Sequence, residues 1–276
     1  MSENGLHAAT SRAGATPPAI ELREVTVRYR GAGAAALEEV TLSVPTGSLV
    51  AVVGPNGAGK TTLFNTILGL VRPVRGEVLL FGHPSRARRV PVGYVPQRDQ
   101  VDWQFPLTAF DIALMGRIRH SLWRLRPSPA DLAAAAAALQ RVDMWAHRET
   151  PIAELSGGEQ QRLIIARALA QDAPILLLDE PFNEVDAATQ ALLLELFAEL
   201  AEAGRTLLVA THDLQLARTR FPAVLFLNKR VIGYGPPAQT FTEEILQRTY
   251  KKQVVRWEGQ GGERTVVDAH TFSHKH

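Results

Sequence analysis

The chain has 276 residues, 46% hydrophobic and 21% charged, a balance that fills one large core or one core with an inserted subdomain. A formal net charge of +2 is too slight an excess to indicate a nucleic-acid partner, and zero Cys excludes disulfides and thiolate metal sites and fits a reducing cytosol. No run approaches the roughly 18 apolar residues of a membrane span, and no charged start with an apolar block marks a signal peptide, so the chain reads as soluble or peripheral.

Residues 1–18 are rich in Ser, Ala, Gly, Thr and Pro and are expected to form a flexible leader. Alternation then begins at Ile20 and Leu22 and continues at Val25, Val27 and Tyr29, with a phase slip that predicts a bulge. Val40, Leu42 and Val44 alternate again, as in an antiparallel sheet edge. The run Leu49-Val50-Ala51-Val52-Val53 is continuously apolar, the pattern of a parallel strand covered on both faces. Similar runs recur at residues 175–178 and 207–210. Helical patterns lie between them, over residues 62–70 and over residues 189–203, the latter stopped by Gly204. Residues 105–169 carry long helical patterns and few β-branched runs. Within them Ser128-Pro129-Ala130-Asp131 has the cap, the first-turn proline and the reciprocal acid of a helix start. The expected fold is α/β, with a parallel central sheet, an N-terminal antiparallel β edge and a helical subdomain inserted at residues 105–169. Residues 251–276 form a tail of mixed character.

Gly54-Pro55-Asn56-Gly57-Ala58-Gly59-Lys60-Thr61 fits the P-loop pattern and stands between an apolar strand and a helical stretch that begins at Thr62. Glycines let backbone N–H groups converge on phosphate oxygens, and the helix adds the positive end of its dipole. Lys60 is suited to the β- and γ-phosphates of ATP and Thr61 to Mg²⁺. The run Ile175-Leu176-Leu177-Leu178 ends in Asp179-Glu180, at the strand edge where open α/β sheets bind ligands. Asp179 suits the Mg²⁺ shell. Glu180 suits a general base, or a group that orients water for attack on the γ-phosphate.

Leu155-Ser156-Gly157-Gly158-Glu159-Gln160-Gln161-Arg162 opens a helix with a Ser and two glycines, a second anion-seeking N-terminus. Ser156 and Glu159 also have capping-box spacing. With the P-loop, this octet resembles the signature of the ABC ATPases, and the resemblance covers roughly residues 20–250, read as a single ATPase domain over 19–250. It implies that Gln97, in Tyr94-Val95-Pro96-Gln97, is the glutamine that senses Mg²⁺ and the attacking water. It implies that His212 contacts the γ-phosphate, that Asp186 belongs to the loop after the acid pair and that Tyr29 stacks on adenine. It also implies a head-to-tail dimer with ATP between the P-loop of one chain and the Ser156–Gly158 turn of the other. The pair would work at the cytoplasmic face of a membrane, beneath integral-membrane permease subunits served by an extracytoplasmic binding protein.

Two segments point to a subtype: Gln97-Arg98-Asp99-Gln100-Val101-Asp102-Trp103-Gln104-Phe105-Pro106-Leu107-Thr108, continuing to Met115-Gly116-Arg117, and Glu180-Pro181-Phe182-Asn183-Glu184-Val185-Asp186. Both resemble the ATPases of bacterial manganese, iron and zinc importers, with manganese or iron over zinc. Glu184 departs from that family's pattern, which has Gly there. Trp103 and Phe105 would either anchor an interface or fill the helical subdomain. His270, His274 and His276 read as solvated residues rather than a metal site. Arg86, Arg88, Arg89 and the basic stretch 117–126 read as a solvated face. The competing functions are an importer of iron chelates or cobalamin, a non-transport ABC ATPase, and a regulator without turnover. One P-loop, one signature and no long heptads disfavour the second, and Glu180 with His212 disfavours the third.

Overall fold

The structure is a computed structural model that describes residues 17–31, 33–87, 89–97, 101–118, 126–183, 185–250, 255–259 and 262–266. Most of the expected leader, Arg88, Arg98, Asp99, Gln100, Glu184, His270, His274, His276 and residues 119–125 of the basic stretch lie outside the described residues.

Alternating strands build a four-stranded antiparallel sheet in the order β2-β1-β4-β5, from β1 (Ile20–Val27), β2 (Leu37–Val44), β4 (Arg75–Leu80) and β5 (His83–Pro84). The phase slip in β1 is a break in register between Leu22 and Val25 and again before Val27, with Glu24 at φ 48°. The continuous apolar runs become the centre of a six-stranded sheet, in the order β10-β9-β3-β8-β7-β6. Its strands are β3 (Leu49–Val53), β6 (Val92–Val95), β7 (Ile175–Asp179), β8 (Thr206–Ala210), β9 (Ala223–Asn228) and β10 (Arg230–Gly235). All pair in parallel except β9 with β10. Every residue of β3, β7 and β8 is buried, as two covered faces require.

The two faces of β3 feed two cores. Val50 and Val52 join the antiparallel sheet and α1 (Lys60–Ile67), whose Leu63, Phe64 and Ile67 are fully buried. Leu49, Ala51 and Val53 join the helical side. There α2 (Ala109–Met115), α3 (Pro129–Arg141) and α4 (Gly157–Ala170) pack on one another as the inserted subdomain, with α5 (Ala187–Glu202) in the same core. α1 ends before residue 70 because Gly69 turns left-handed at φ 72°. α3 begins with the expected reciprocal cap, Ser128 Oγ accepting from Asp131 N–H while the Asp131 carboxylate accepts from Ser128 N–H. The Ser128 hydroxyl and N–H, both donating to that carboxylate, and Arg117 hold the Asp131 carboxyl down at about 2. α5 starts two residues earlier than its apolar pattern because Asp186 caps it, and Gly204 at φ 86° follows its end.

The chain closes with α6 (Leu214–Arg220), α7 (Pro237–Thr240) and α8 (Glu243–Tyr250). The tail holds an antiparallel pair, β11 (Val255–Gly259) and β12 (Gly262–Val266). No helix among the described residues is long and apolar enough to cross a membrane.

Candidate nucleotide site

β3 delivers the chain into the glycine loop at the C-terminal edge of the sheet. Two of its glycines are sterically required. A Cβ on Gly54 would collide with the Leu227 carbonyl oxygen. Gly59 has φ 98°, and a Cβ there would stand 2.7 Å from the Ala36 carbonyl oxygen. Lys60 then opens α1, and its Nζ donates to the Gly54 carbonyl at 2.7 Å. Burial lowers the Lys60 pKa, while Glu180 and Asp179 pull it back up.

The acid pair meets this loop from β7. Thr61 Oγ1 donates to Asp179 Oδ2 at 3.0 Å. Burial raises the Asp179 pKa, the Thr61 hydrogen bond opposes that, and the neighbouring Glu180 charge adds to it. The Tyr94 hydroxyl, on β6, is pushed up to about 12 by burial and by Asp179. Glu180 sits at φ 55°, a left-handed conformation a side chain rarely takes, and its N–H donates to Ala210 at 3.1 Å. Its Oε2 lies 2.7 Å from His212 Nδ1; the Glu180 side chain is 10% exposed and that of His212 70%. This carboxylate therefore stays nearly dry while its partner ring reaches solvent.

These groups enclose a cavity of about 220 Å³ lined by residues 55–62, Ala36, Gln97, Asp179 and Glu180. Its donors are hydroxyl, amide and carboxylate oxygens. Among the described residues no cluster of three or more His, Cys, Asp or Glu could cage a metal. Such a set suits a hard cation that keeps waters and shares phosphate oxygens, as Mg²⁺ does. Tyr29 stands at the rim, with its hydroxyl 3.2 Å from Thr62 Oγ1 and its side chain exposed.

The structure thus brings together the P-loop, Gln97, Asp179, Glu180 and His212. Ser156, Gly157, Gly158, Glu159 and Asp186 do not line the cavity. Ser156 and Glu159 form the reciprocal cap of α4, with Ser156 N–H donating to Glu159 Oε2 at 2.7 Å. The Ser156 hydrogen bonds hold the Glu159 pKa low. A Cβ on Gly158 would meet nothing within 4 Å, so this turn faces open space. Asp186 accepts from Thr189 N–H at 2.8 Å, and that bond lowers its pKa. Trp103 is half-buried against the helical core, whereas Phe105 is 57% exposed. Ala36, Tyr94 and the Lys229 backbone also meet the site or its loop. Ala36 and Lys229 carry no sequence signal, because they act through position or main chain alone, whereas Tyr94 stands in the Tyr94-Val95-Pro96-Gln97 string.

The family described as ABC transporter matches residues 37–183. The chain is 47% identical over 231 residues to a manganese transport system ATP-binding protein of Bacillus subtilis, covering 84% of this chain and 92% of that one. It is 46% identical over 236 residues to a zinc transport system ATP-binding protein of Treponema pallidum, covering 86% and 88%. A dimeric ATP-binding cassette solved in a post-hydrolysis state with ADP and Pi superposes with a TM-score of 0.67 at 30% identity, covering 79% of this chain and 98% of that one. With a family match over more than half its length and a cavity lined by its glycine loop and acid pair at the edge of its parallel sheet, this chain belongs to the ABC transporter family, as an ATP-binding, ATP-hydrolysing subunit.

Proposed function

We propose that the chain drives import of a divalent metal ion, manganese or iron over zinc. The supporting observation is the kinship to manganese and zinc ATP-binding subunits, together with the Val101-Asp102-Trp103 and Phe105-Pro106 string after Gln97. The cargo meets the permease and an extracytoplasmic metal-binding protein, not this chain, which sits peripherally on the cytoplasmic face. The ATPase domain spans residues 19–250, with its helical subdomain at about 105–169.

In this reading the N–H groups of residues 56–62 cradle the phosphates and Lys60 neutralises the β- and γ-oxygens. Mg²⁺, held by Thr61 and Asp179 and sensed by Gln97, would offset the phosphate charge when bound. Glu180 orients the attacking water and accepts its proton. His212, already paired with Glu180, has the exposure to reach the γ-phosphate. Tyr29 stacks on the adenine. The open Ser156–Gly158 turn faces a second copy, head to tail, whose nucleotide it completes, and Asp186 belongs to the loop after the acid pair. The convergence of Lys60, Thr61, Asp179 and Glu180 on one cavity carries the ATPase reading.

Metal accumulation in cells lacking the protein tests the cargo. Loss of manganese or iron uptake is expected, with zinc unchanged. Normal metal content with loss of an iron-chelate or cobalamin supply would overturn the assignment in favour of a chelate importer.

A further inference from the structure

A main-chain bond reaches the P-loop from the far end of the sheet. Lys229, between β9 and β10, has φ 60°. Its N–H donates to the Ala58 carbonyl at 2.7 Å, and its own carbonyl accepts from Glu38 N–H at 2.7 Å. Ala58 lies within the glycine loop. Glu38 follows Leu37, whose side chain would stand 2.8 Å from a Cβ on Gly59. One left-handed residue therefore clasps the phosphate loop on one side and the strand it packs against on the other, through main-chain bonds only.

A left-handed non-glycine residue stays in place only when its neighbours over-determine it. Arg230, on one side, pairs with Glu38 and Glu39 at 3.1 Å each, but that cluster is about half exposed and screened by solvent. Asn228, on the other side, donates from Nδ2 to the Thr249 carbonyl at 2.6 Å. That acceptor is fixed. Thr249 and Leu246 are fully buried, and Tyr250 is nearly so, seating the last turn of α8 in the core.

We propose that Asn228 is a positioning residue for nucleotide binding, setting the P-loop through Lys229 by tying the β9–β10 turn to the end of α8. The inference rests on reading residues 54–61 as the ATP phosphate cradle. Asn228→Ala removes the donor, lets the Lys229 turn relax and displaces the Ala58 carbonyl. The cradle geometry loosens without loss of any group that touches the reacting atoms.

The test measures the MgATP dissociation constant, turnover at saturating ATP and Tm on the full chain. Asn228→Ala is expected to weaken MgATP binding about tenfold with saturated turnover within about twofold. Ser128→Ala is the control: it removes the reciprocal cap of α3 in the helical subdomain, so it lowers Tm without touching the turn. Its MgATP affinity is expected to stay at the wild-type level. Asn228→Asp, equal in shape and lacking the donor, replaces the alanine variant should that one not fold. Wild-type affinity in the Asn228 variants, or an equal loss in Ser128→Ala, would overturn the proposal. Failure of the wild-type chain itself to bind MgATP would instead overturn the phosphate-cradle reading beneath it.

Discussion

The two phosphate-seeking turns of this chain differ in what surrounds them. Residues 54–61 are enclosed: acids from β7, Gln97 and Ala36 wall them into a cavity, and two of their glycines leave no room for a side chain. Residues 156–159 are open: Ser156 and Glu159 satisfy each other, and Gly158 has no neighbour at the place where its side chain would stand. The first turn is walled in by its own fold, whereas the second has open space beside Gly158. A helix start needs one good cap and has no use for two consecutive glycines, which cost helix stability. The second turn therefore makes physical sense as half of a site that another chain finishes.

The sharpest way to break this comparison is Lys60→Ala. It empties the enclosed turn of its cation and should lower turnover on the order of 10³-fold. Tm should fall little, because Lys60 Nζ contributes only backbone-carbonyl bonds. Near-normal turnover on folded protein would remove the P-loop from the mechanism. Next in size, Glu180→Gln should cut hydrolysis by about 10²-fold while sparing MgATP binding, so a dimer accumulates. Light scattering with MgATP reads it; a monomer that turns over normally would contradict both the water-orienting role and the shared site.

Gly158→Asp addresses the open turn alone. With nothing near its Cβ the variant should fold as the wild type does, and a single chain should bind MgATP normally. Its carboxylate would confront the partner's phosphates, and dimer affinity should drop by about 30-fold. Equal loss of nucleotide affinity in the monomer would show that the two turns are not separate. The smallest effect is expected from Phe105→Ala, which should weaken co-purification with the permease by about tenfold and leave Tm unchanged, because the ring is already exposed. Trp103→Ala should instead lower Tm, since that ring packs on the helical core. The reverse pattern would exchange their roles.

Features written in side chains at fixed spacing are legible in the sequence. β3, β7 and β8 announce themselves as continuous apolar runs because both their faces are covered. The caps at Ser128 and Ser156 follow from acids three residues on. The bulge in β1 shows as a slip in alternation. What stays hidden is made by main chain across long separations. Nothing in Asn228-Lys229-Arg230 signals a left-handed residue bonded to a loop some 170 positions earlier in the chain. The left-handed Glu180 is equally silent, since its conformation depends on Ala210 beyond a whole helix. The pair β11 and β12 escapes because charge and glycine dilute its alternation.

The seating of α1 bears on how nucleotide binding would be felt. Its inner face is sealed within the core shared with the antiparallel sheet, so its amides have little route to solvent short of opening that whole layer. Hydrogen exchange along α1 should follow the global opening reaction rather than local fraying. Saturating ATP, bound at the head of this helix, would then slow exchange deep in the protein by the same factor, one plus the ratio of ligand to dissociation constant, that it adds to the folding equilibrium. Amides of residues 63–67, bonded within the helix rather than to phosphate, would report occupancy of the cradle as faithfully as those that touch it.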